Sequence, residues 1–223
     1  MNENKNITTV LFDLDGTLIN TNPLIISSFR ATVEEFLKEQ TFTDEDLMDF
    51  IGPTLEQTFT KLLKEKKDDM ITFYRTHNKK YHDDMVEVYP GVLEGLERLK
   101  QKGITLGIVS SKANDMVHHG LKHCKIYDYF EIIIGADDVT NPKPHKEPIE
   151  LALNRLGRKK EETIFVGDNK HDMLGGKNAG VITCGVSWAL RGADYLKNYH
   201  PEFILKDMND LLKIIDEVNT HGK

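Results

Sequence analysis

Cysteine is scarce in this chain, since Cys124 and Cys184 are the only two among 223 residues and lie far apart. Two isolated thiols make neither a disulfide framework nor a cysteine-rich zinc motif. Long apolar runs are also missing, because no uninterrupted stretch reaches the length of a transmembrane helix. The first residues are polar and carry no apolar region of a signal peptide. We therefore expect a cytoplasmic protein with two buried, reduced thiols.

Positive charge is in deficit, with 29 Lys and Arg against 36 Asp and Glu and a net charge of −7. Acids and bases are interspersed, so the chain has no overall basic field that would favour DNA, RNA or a membrane as a partner. A small anionic substrate would need local cations or a metal ion to overcome the overall sign. The length allows one large domain, or one domain with an insertion, around a substantial core.

The most informative segment is residues 7–18, Ile-Thr-Thr-Val-Leu-Phe-Asp-Leu-Asp-Gly-Thr-Leu. A strand has a side-chain period of two, which places Asp13 and Asp15 on one side and turns Leu14 away. Gly16 then permits a sharp bend. Two carboxylates beside a core repel each other, and desolvation disfavours their charge. A bound divalent cation would relieve both costs, although a strand end with a solvated acidic turn explains the bare pattern equally well.

Strand and helix patterns alternate after about residue 90, which predicts an α/β fold with a doubly wound parallel sheet. The predicted strands are 104–109, 130–134, 163–166, 181–186 and, more weakly, 203–205. The predicted helices cover 92–99, 147–156, a segment from about 172, and 208–218. Ligands of such sheets bind at the carboxyl ends of the strands.

The segment that follows the first strand has no strand pattern until about residue 85 and indicates about four helices. Asn22-Pro23 is typical of an N-cap followed by proline at the first helical position, and Thr54 with Gln57 suggests a capping box. We expect a catalytic core at 1–19 and 86–223 and a helical cap domain at 20–85. The cap would lie over the two carboxylates as a lid.

Other polar residues follow predicted strands and would meet the two carboxylates at one edge of the sheet. Ser110 offers a hydroxyl to a phosphoryl oxygen, or simply caps a turn. Lys143 lies between prolines and would neutralise an anion, or remains a solvated loop lysine. Asp168 and Asp172 would support a cation, or cap a helix. This oxygen-rich set favours Mg²⁺, and the lack of His and Cys at these strand ends disfavours zinc.

In order and spacing, four segments resemble the motifs of the haloacid dehalogenase superfamily. They are Asp13-Leu14-Asp15-Gly16-Thr17, Ser110, Lys143 and Gly167-Asp168-x-x-x-Asp172. The helical segment is similar to the cap of the phosphoglycolate phosphatase-like branch. Residues 12–22, 50–53, 107–113, 171–180 and 185–188 look like the bacterial inorganic pyrophosphatases of the PpaX type. That group hydrolyses the pyrophosphate released when seryl-phosphorylated HPr is dephosphorylated.

The resemblance implies a Mg²⁺-dependent phosphohydrolase that works through an aspartyl-phosphate. Asp13 would be the nucleophile and Asp15 the general acid and base. The implied phosphate-binding residues are Gly16, Thr17, Ser110 and Lys143; the implied metal ligands are Asp13, Asp15 through its main-chain carbonyl, and Asp168, with Asp172 in support. Pyrophosphate is the favoured substrate, and 2-phosphoglycolate or another small phosphomonoester is the alternative. A phosphomutase and a non-catalytic phosphate-binding module of the same fold are more distant alternatives.

A second phosphate group would need polar or cationic partners of its own. The candidates are Asn20 at the start of the helical segment, Gly52 in a loop, Arg75 in the predicted helix 68–85, and Lys112 beside Ser110. Arg75 and Lys112 also have the simpler interpretation of a solvated basic surface, whereas Asn20 and Gly52 are better placed by sequence, at the hinge and in a loop of the cap.

Overall fold

A six-stranded parallel sheet forms the centre of the computed structural model, which describes residues 6–221. The strands are β1 (Thr9–Phe12), β4 (Thr105–Val109), β5 (Ile132–Ile134), β6 (Thr163–Gly167), β7 (Ile182–Val186) and β8 (Phe203–Leu205). Their order in the sheet is β5-β4-β1-β6-β7-β8. Residues 1–5 and 222–223 of the expected core, including the start of the polar amino-terminal segment, lie outside the described residues.

Helices cover both faces of this sheet. They are α5 (Val92–Gln101), α6 (Asn114–His123), α7 (Glu147–Leu156), α8 (Lys170–Ala179), α9 (Gly192–Lys197) and α10 (Met208–His221). Val10 and Phe12 of β1 pack into one hydrophobic cluster, while Leu11 packs into another with Ile149 of α7. Alternate residues of one strand therefore serve two cores, which confirms the doubly wound α/β prediction. Helices α6 and α9 were not predicted.

Four helices lie between the first strand and the rest of the sheet: α1 (Asn22–Phe36), α2 (Asp44–Met48), α3 (Leu55–Leu63) and α4 (Lys67–Met85). This segment, residues 22–85, is called the helical insert below. It has a hydrophobic cluster of its own, in which Phe29 contacts the rings of Phe50, Phe59 and Tyr74. The insert is thus held together by its own apolar side chains, in the all-helical form that the sequence predicts.

The helix starts of the insert test two local predictions. The capping box is confirmed, because Thr54 Oγ1 accepts from Gln57 N at 3.2 Å and Gln57 Oε1 accepts from Thr54 N at 3.0 Å. The N-cap assignment of Asn22 is wrong by one residue. Thr21 is the N-cap of α1, without a side-chain capping bond, and Asn22 is already helical. Pro23 is the second helical residue and has no N–H group, so its place in the first turn costs no hydrogen bond.

The insert is joined to the sheet by a short antiparallel ribbon. Its strands are β2 (Ile19–Asn20) and β3 (Glu87–Val88), with Ile19 opposite Val88 and Asn20 opposite Glu87. The chain therefore leaves and re-enters the core through paired residues.

Both cysteines are free and buried, as predicted. Burial raises the pKa of Cys124 to about 11, so its thiol stays protonated at neutral pH. Within residues 6–221, no helix combines the length and the apolar character that crossing a membrane would require.

Candidate active site

The sheet order brings the predicted residues to one edge. β1 lies between β4 and β6, and parallel strands end at the same side of a sheet. Asp13 follows β1 and its backbone amide donates to Val166 O at 2.9 Å, and Ser110 follows β4 and its backbone amide donates to Ile134 O at 2.9 Å. Asp168 follows β6. Three neighbouring strands therefore deliver a carboxylate, a hydroxyl and a second carboxylate to a common edge.

Lys143 reaches this edge from the loop before α7 and is only 2% exposed. Its ammonium donates to Asp13 Oδ1 at 2.8 Å, Val109 O at 2.9 Å and Asp172 Oδ1 at 2.6 Å. Burial opposes this charge, but Asp13 and Asp172 outweigh burial and raise the pKa of Lys143 above its ordinary value. The lysine is therefore a fixed cation in contact with the predicted nucleophile.

Within the described residues, three buried carboxylates at this edge outnumber the one buried ammonium, that of Lys143. Asp13, Asp168 and Asp172 are 5%, 4% and 0% exposed. Burial raises the pKa of Asp13 to about 7, with further contributions from Asp172 and Asp15, although Lys143 works in the opposite direction. Burial and the charges of Asp172 and Asp13 also raise the pKa of Asp168. The edge of the sheet therefore carries an excess of negative charge that a further cation would relieve.

The carboxylates are arranged so that they could hold that cation. Asp13, Asp168 and Asp172 each offer an oxygen within 4.8 Å of the other two. Both oxygens of Asp172 are already engaged, one by Lys143 and one by the amides of Asp168 and Asn169 at 3.2 and 3.1 Å. Asp13 and Asp168 are therefore the available ligands, while Asp172 holds the loop around them. An all-oxygen donor set suits a hard divalent cation such as Mg²⁺.

Gly16 brings the loops that follow β1 and β6 into direct contact. Its φ is +79°, a conformation that L side chains rarely adopt, and a Cβ there would lie 2.2 Å from Asp168 Oδ2. A side chain at position 16 would therefore displace one of the two available metal ligands.

Asp15 lies beside Asp13 in the wall of a cavity, and Leu14 between them is buried in the core. Lys112 Nζ donates to Asp15 Oδ1 at 2.8 Å. The alternation expected for residues 13–15 is therefore present, and Asp15 has a cationic partner separate from Lys143.

The cavity has a volume of about 460 Å³ and lies between the edge of the sheet and the helical insert. The core contributes Asp13, Asp15, Ser110, Lys112 and Lys143 to its wall. The insert contributes apolar side chains such as Phe29 and Phe50, and also Gly52 and the polar or charged residues Thr54, Glu56, Gln57, Tyr74, Arg75 and Asn78. At the floor of the cavity, a small anion would meet the ammonium groups of Lys112 and Lys143 beside the carboxylates of Asp13 and Asp15, so a bound metal ion would favour its binding.

Gly52 marks the place where the insert touches the core. Its φ is +112°, and a Cβ there would lie 2.6 Å from His171 Nδ1 and 3.2 Å from Asn169 Oδ1. The insert therefore stands closed over the loop that carries Asp168. Burial lowers the pKa of His171 to about 4, so the ring beneath Gly52 is neutral at pH 7.

Comparison with known proteins places this site in a family. The family model described as haloacid dehalogenase-like hydrolase matches residues 10–186, a span that includes Asp13, Ser110, Lys143 and Asp168. The chain belongs to this family. It is 49% identical to "Pyrophosphatase PpaX" of Bacillus mycoides (strain KBAB4), over 96% of this chain and 99% of that protein. It is 48% identical to the protein of the same name in Listeria monocytogenes serotype 4a (strain HCC23), over 94% and 96%.

A solved structure of the haloacid dehalogenase-like family, from Streptococcus pneumoniae, superimposes with a TM-score of 0.80 at 28% identity. It covers 93% of this chain and 98% of that one. The likeness therefore includes the helical insert as well as the sheet, and it confirms the fold predicted from the sequence.

Three predicted phosphate or substrate contacts, Gly16, Thr17 and Asn20, are not part of the cavity wall of this haloacid dehalogenase-like hydrolase. Thr17 is fully buried, its Oγ1 has no hydrogen-bond partner within residues 6–221, and its carbonyl accepts from Trp188 Nε1 at 3.0 Å. Asn20 Oδ1 accepts from Tyr89 Oη at 3.3 Å in the ribbon that joins insert and core. Their direct roles in binding phosphate or substrate stay predictions.

The residues of the cavity wall that were not predicted as contacts include Tyr74, Asn78 and Asn169. Tyr74 and Asn78 lie one turn apart on α4, on the side that also packs into the insert, so their periodicity indicated only a core position. Asn169 follows Asp168 and caps α8 by accepting from His171 N at 2.8 Å. Its place next to the predicted ligand Asp168 was the available signal.

Proposed function

We propose that this hydrolase cleaves inorganic pyrophosphate into two phosphates, with Asp13 as the nucleophile and Mg²⁺ as the cofactor. The observation that carries the proposal is the buried contact between Lys143 Nζ and Asp13 Oδ1 at 2.8 Å, next to Asp15. The names of the Bacillus and Listeria relatives support pyrophosphate as the substrate. A cavity of about 460 Å³ is large enough for an anion of this size.

In the first step, a carboxylate oxygen of Asp13 attacks one phosphorus atom. A bond forms between Asp13 and phosphorus, and the bond from that phosphorus to the bridging oxygen breaks. Lys143 neutralises charge on the attacking carboxylate and on the transferring group, and Ser110 is placed to donate a hydrogen bond to a phosphoryl oxygen. The second phosphate leaves with a proton from Asp15.

In the second step, Asp15 accepts a proton from water, and the resulting nucleophile attacks the phosphorus of the aspartyl-phosphate. The bond between Asp13 and phosphorus breaks, which releases phosphate and restores the carboxylate. Lys112 holds Asp15 by the ion pair at 2.8 Å, so one side chain serves as acid and then as base in a fixed position.

The carboxylates of Asp13 and Asp168, with the main-chain carbonyl of Asp15, would hold the metal ion. When bound, Mg²⁺ supplies positive charge that neutralises phosphoryl oxygens and the excess carboxylate charge of the site.

Phosphate release from pyrophosphate and from 2-phosphoglycolate, each measured in Mg²⁺ and in chelator, tests the proposal. We expect a higher kcat/KM for pyrophosphate, and loss of both activities in chelator and in Asp13→Asn. An equal or higher kcat/KM for 2-phosphoglycolate would replace pyrophosphatase by a phosphomonoesterase. Phosphate binding without release from either compound would favour a non-catalytic module.

The proposed location is the cytoplasm. The two free, buried thiols support it, since a reducing compartment keeps such cysteines unpaired.

A further inference from the structure

A second cluster of ionisable side chains lies outside the cavity, between the end of α4 and the helix α6. His82 and Asp83 belong to the last turn of α4, and His119 and His123 lie one turn apart on α6. The four residues are called the histidine cluster below. Three imidazoles face one oxygen, Asp83 Oδ1: His119 Nε2 at 2.7 Å, His82 Nδ1 at 2.9 Å and His123 Nδ1 at 3.5 Å.

Hydrogen bonding between neutral rings and Asp83 does not account for this arrangement. His123 Nε2 lies 3.3 Å from Val86 O, to which it can only donate. The neutral ring then presents a bare lone pair at Nδ1, and this lone pair faces a carboxylate oxygen, which is also an acceptor. Two acceptors that face each other need a cation between them. A ring N–H on a backbone carbonyl is also the usual way in which a metal-binding histidine is oriented.

The burial of His82 and the close approach of the three rings favour one shared metal ion over three added protons. His82 is fully buried, and its Nε2 has no hydrogen-bond partner within the described residues. The ring centroids of His82 lie 4.6 Å from His119 and 5.7 Å from His123. Three protonated rings so close together would repel one another, and burial lowers the pKa of His82.

The spacing of the donor atoms suits a tetrahedral ion. Nitrogen and oxygen ligands about 2.0 Å from such an ion lie about 3.3 Å from one another. The three distances to Asp83 Oδ1, from 2.7 to 3.5 Å, bracket this value. The side chains of Asp83 and His119 are 58% and 41% exposed, which gives an ion a route from solvent.

From this geometry we propose that His82, Asp83, His119 and His123 form a binding site for Zn²⁺ or a similar transition metal. Imidazole nitrogen selects such ions, whereas the oxygen-only set around Asp13 selects Mg²⁺. The bound ion joins the last helix of the insert to α6, which follows the loop of Ser110 and Lys112. It thereby fixes the insert to the core at a point beside the β2–β3 ribbon.

Metal binding to the full chain in excess Mg²⁺ tests this site without reference to any substrate. Excess Mg²⁺ occupies the oxygen ligands around Asp13, and Zn²⁺ or Co²⁺ is then titrated as the only added transition metal. We expect one equivalent of Zn²⁺ to bind and to raise the melting temperature. Co²⁺ should give the visible absorption bands of a tetrahedral complex, which Zn²⁺ then displaces.

Variants on the exposed side of the cluster assign the ligands. His119→Ala and His123→Ala should each weaken Zn²⁺ binding by more than about 100-fold, because even the loss of a partner that only orients a ligand costs up to about 100-fold. His118→Ala is the matched control, since His118 is on the same helix but packs against Tyr127. It should bind Zn²⁺ like the wild type.

Either of two results would overturn the proposal. One is the absence of Zn²⁺ binding to the wild type in excess Mg²⁺. The other is equal Zn²⁺ affinity in His119→Ala, His118→Ala and the wild type, which would assign the ion to the carboxylates of the cavity. Melting curves without added metal confirm that each variant is folded.

Discussion

Lys112 Nζ donates to Asp15 Oδ1 at 2.8 Å, and so connects the loop after β4 to the loop after β1 at the wall of the cavity. The two side chains are only 14% and 16% exposed. The sequence suggested Lys112 as a contact to substrate, whereas the structure gives its ammonium a partner within the protein. The pair fixes the position of the residue to which we assign both proton transfers.

Replacement of Lys112 by methionine distinguishes a role in positioning Asp15 from a role in binding substrate. If Lys112 positions Asp15, kcat should fall by about tenfold, a part of the ~10²–10⁴ that a positioned acid or base contributes, with little change in KM. Lys112→Arg should recover part of kcat, because it restores a cation within reach of Asp15. Steady-state kinetics on pyrophosphate measure both parameters. A large rise in KM at unchanged kcat would instead assign Lys112 to substrate binding.

Asp15→Asn should impair the second chemical step more than the first. Phosphate is a good leaving group, with a second pKa of about 6, so it departs without much help from an acid. Water has a pKa of about 15.7 and needs a base before it can attack the aspartyl-phosphate. Phosphoenzyme should therefore accumulate when Asp15→Asn is mixed with pyrophosphate, and intact-mass analysis would detect it.

Asp13→Asn is the control for that experiment, since it should give neither phosphoenzyme nor turnover. Slow hydrolysis by Asp15→Asn without any phosphoenzyme would contradict the assignment of Asp15 to the second step. Retained turnover in Asp13→Asn would overturn the whole mechanism.

The stability of the metal-free protein should depend on the protonation of Asp13. Its pKa is about 7 in the folded protein and 3.8 ordinarily, so the folded state holds more protons between these values and loses stability as pH rises through 7. Between pH 5 and pH 7 the free energy of unfolding should fall by about 1.4 kcal/mol per pH unit, a total of about 3 kcal/mol. The measurement is urea unfolding at pH 5 and pH 8 in chelator.

Asp13→Asn is the control for this pH dependence, because it has no carboxyl group at position 13. His171 has a lowered pKa of about 4 and acts in the opposite direction as pH rises, while Asp168 has a raised pKa and acts in the same direction as Asp13; both residues are present in both proteins. Saturating Mg²⁺ should reduce the loss, because the ion favours the ionised carboxylate. An identical pH dependence in both proteins would show that Asp13 is already ionised at pH 5.

Arg75 is the cation that the insert contributes to the described wall of the cavity. If it contacts the second phosphate of pyrophosphate, Arg75→Met should lower kcat/KM by about 10- to 100-fold, the value of a hydrogen bond to a charged group. Lys79→Met is the matched control, because Lys79 is exposed on the same helix and lies outside the cavity wall. Equal kinetics for Arg75→Met and Lys79→Met would leave Arg75 as a solvated surface residue.

The sequence was sufficient for the sheet because parallel strands that are buried on both faces are continuous apolar runs. Residues 104–109 and 163–166 have this form, and the structure has β4 and β6 there. Helix α6 was missed because Ala113 gives no capping bond and few apolar residues mark its buried side. The ribbon β2–β3 was missed because strands of two residues have no period.

The candidate site was predictable to a similar extent. The positions of Asp13, Ser110 and Asp168 follow from strand ends, which sequence patterns locate. The contacts of Lys143 with Asp13 and of Lys112 with Asp15 depend on how two loops fold back over the sheet, and no local pattern encodes this. The histidine cluster joins residues more than thirty positions apart, so only its i, i+4 pair, His119 and His123, was visible in the sequence.

The paired strands β2 and β3 have a consequence for how such proteins diversify. Because Asn20 lies opposite Glu87, the two ends of the helical insert are adjacent, and the insert is a closed loop attached to the sheet at one point. Exchanging the insert for another of different length would change the entropy of loop closure only slowly with length. The same catalytic residues at the edge of the sheet could thus be covered by a different insert, and so bind a different substrate, without any change in the order of the strands.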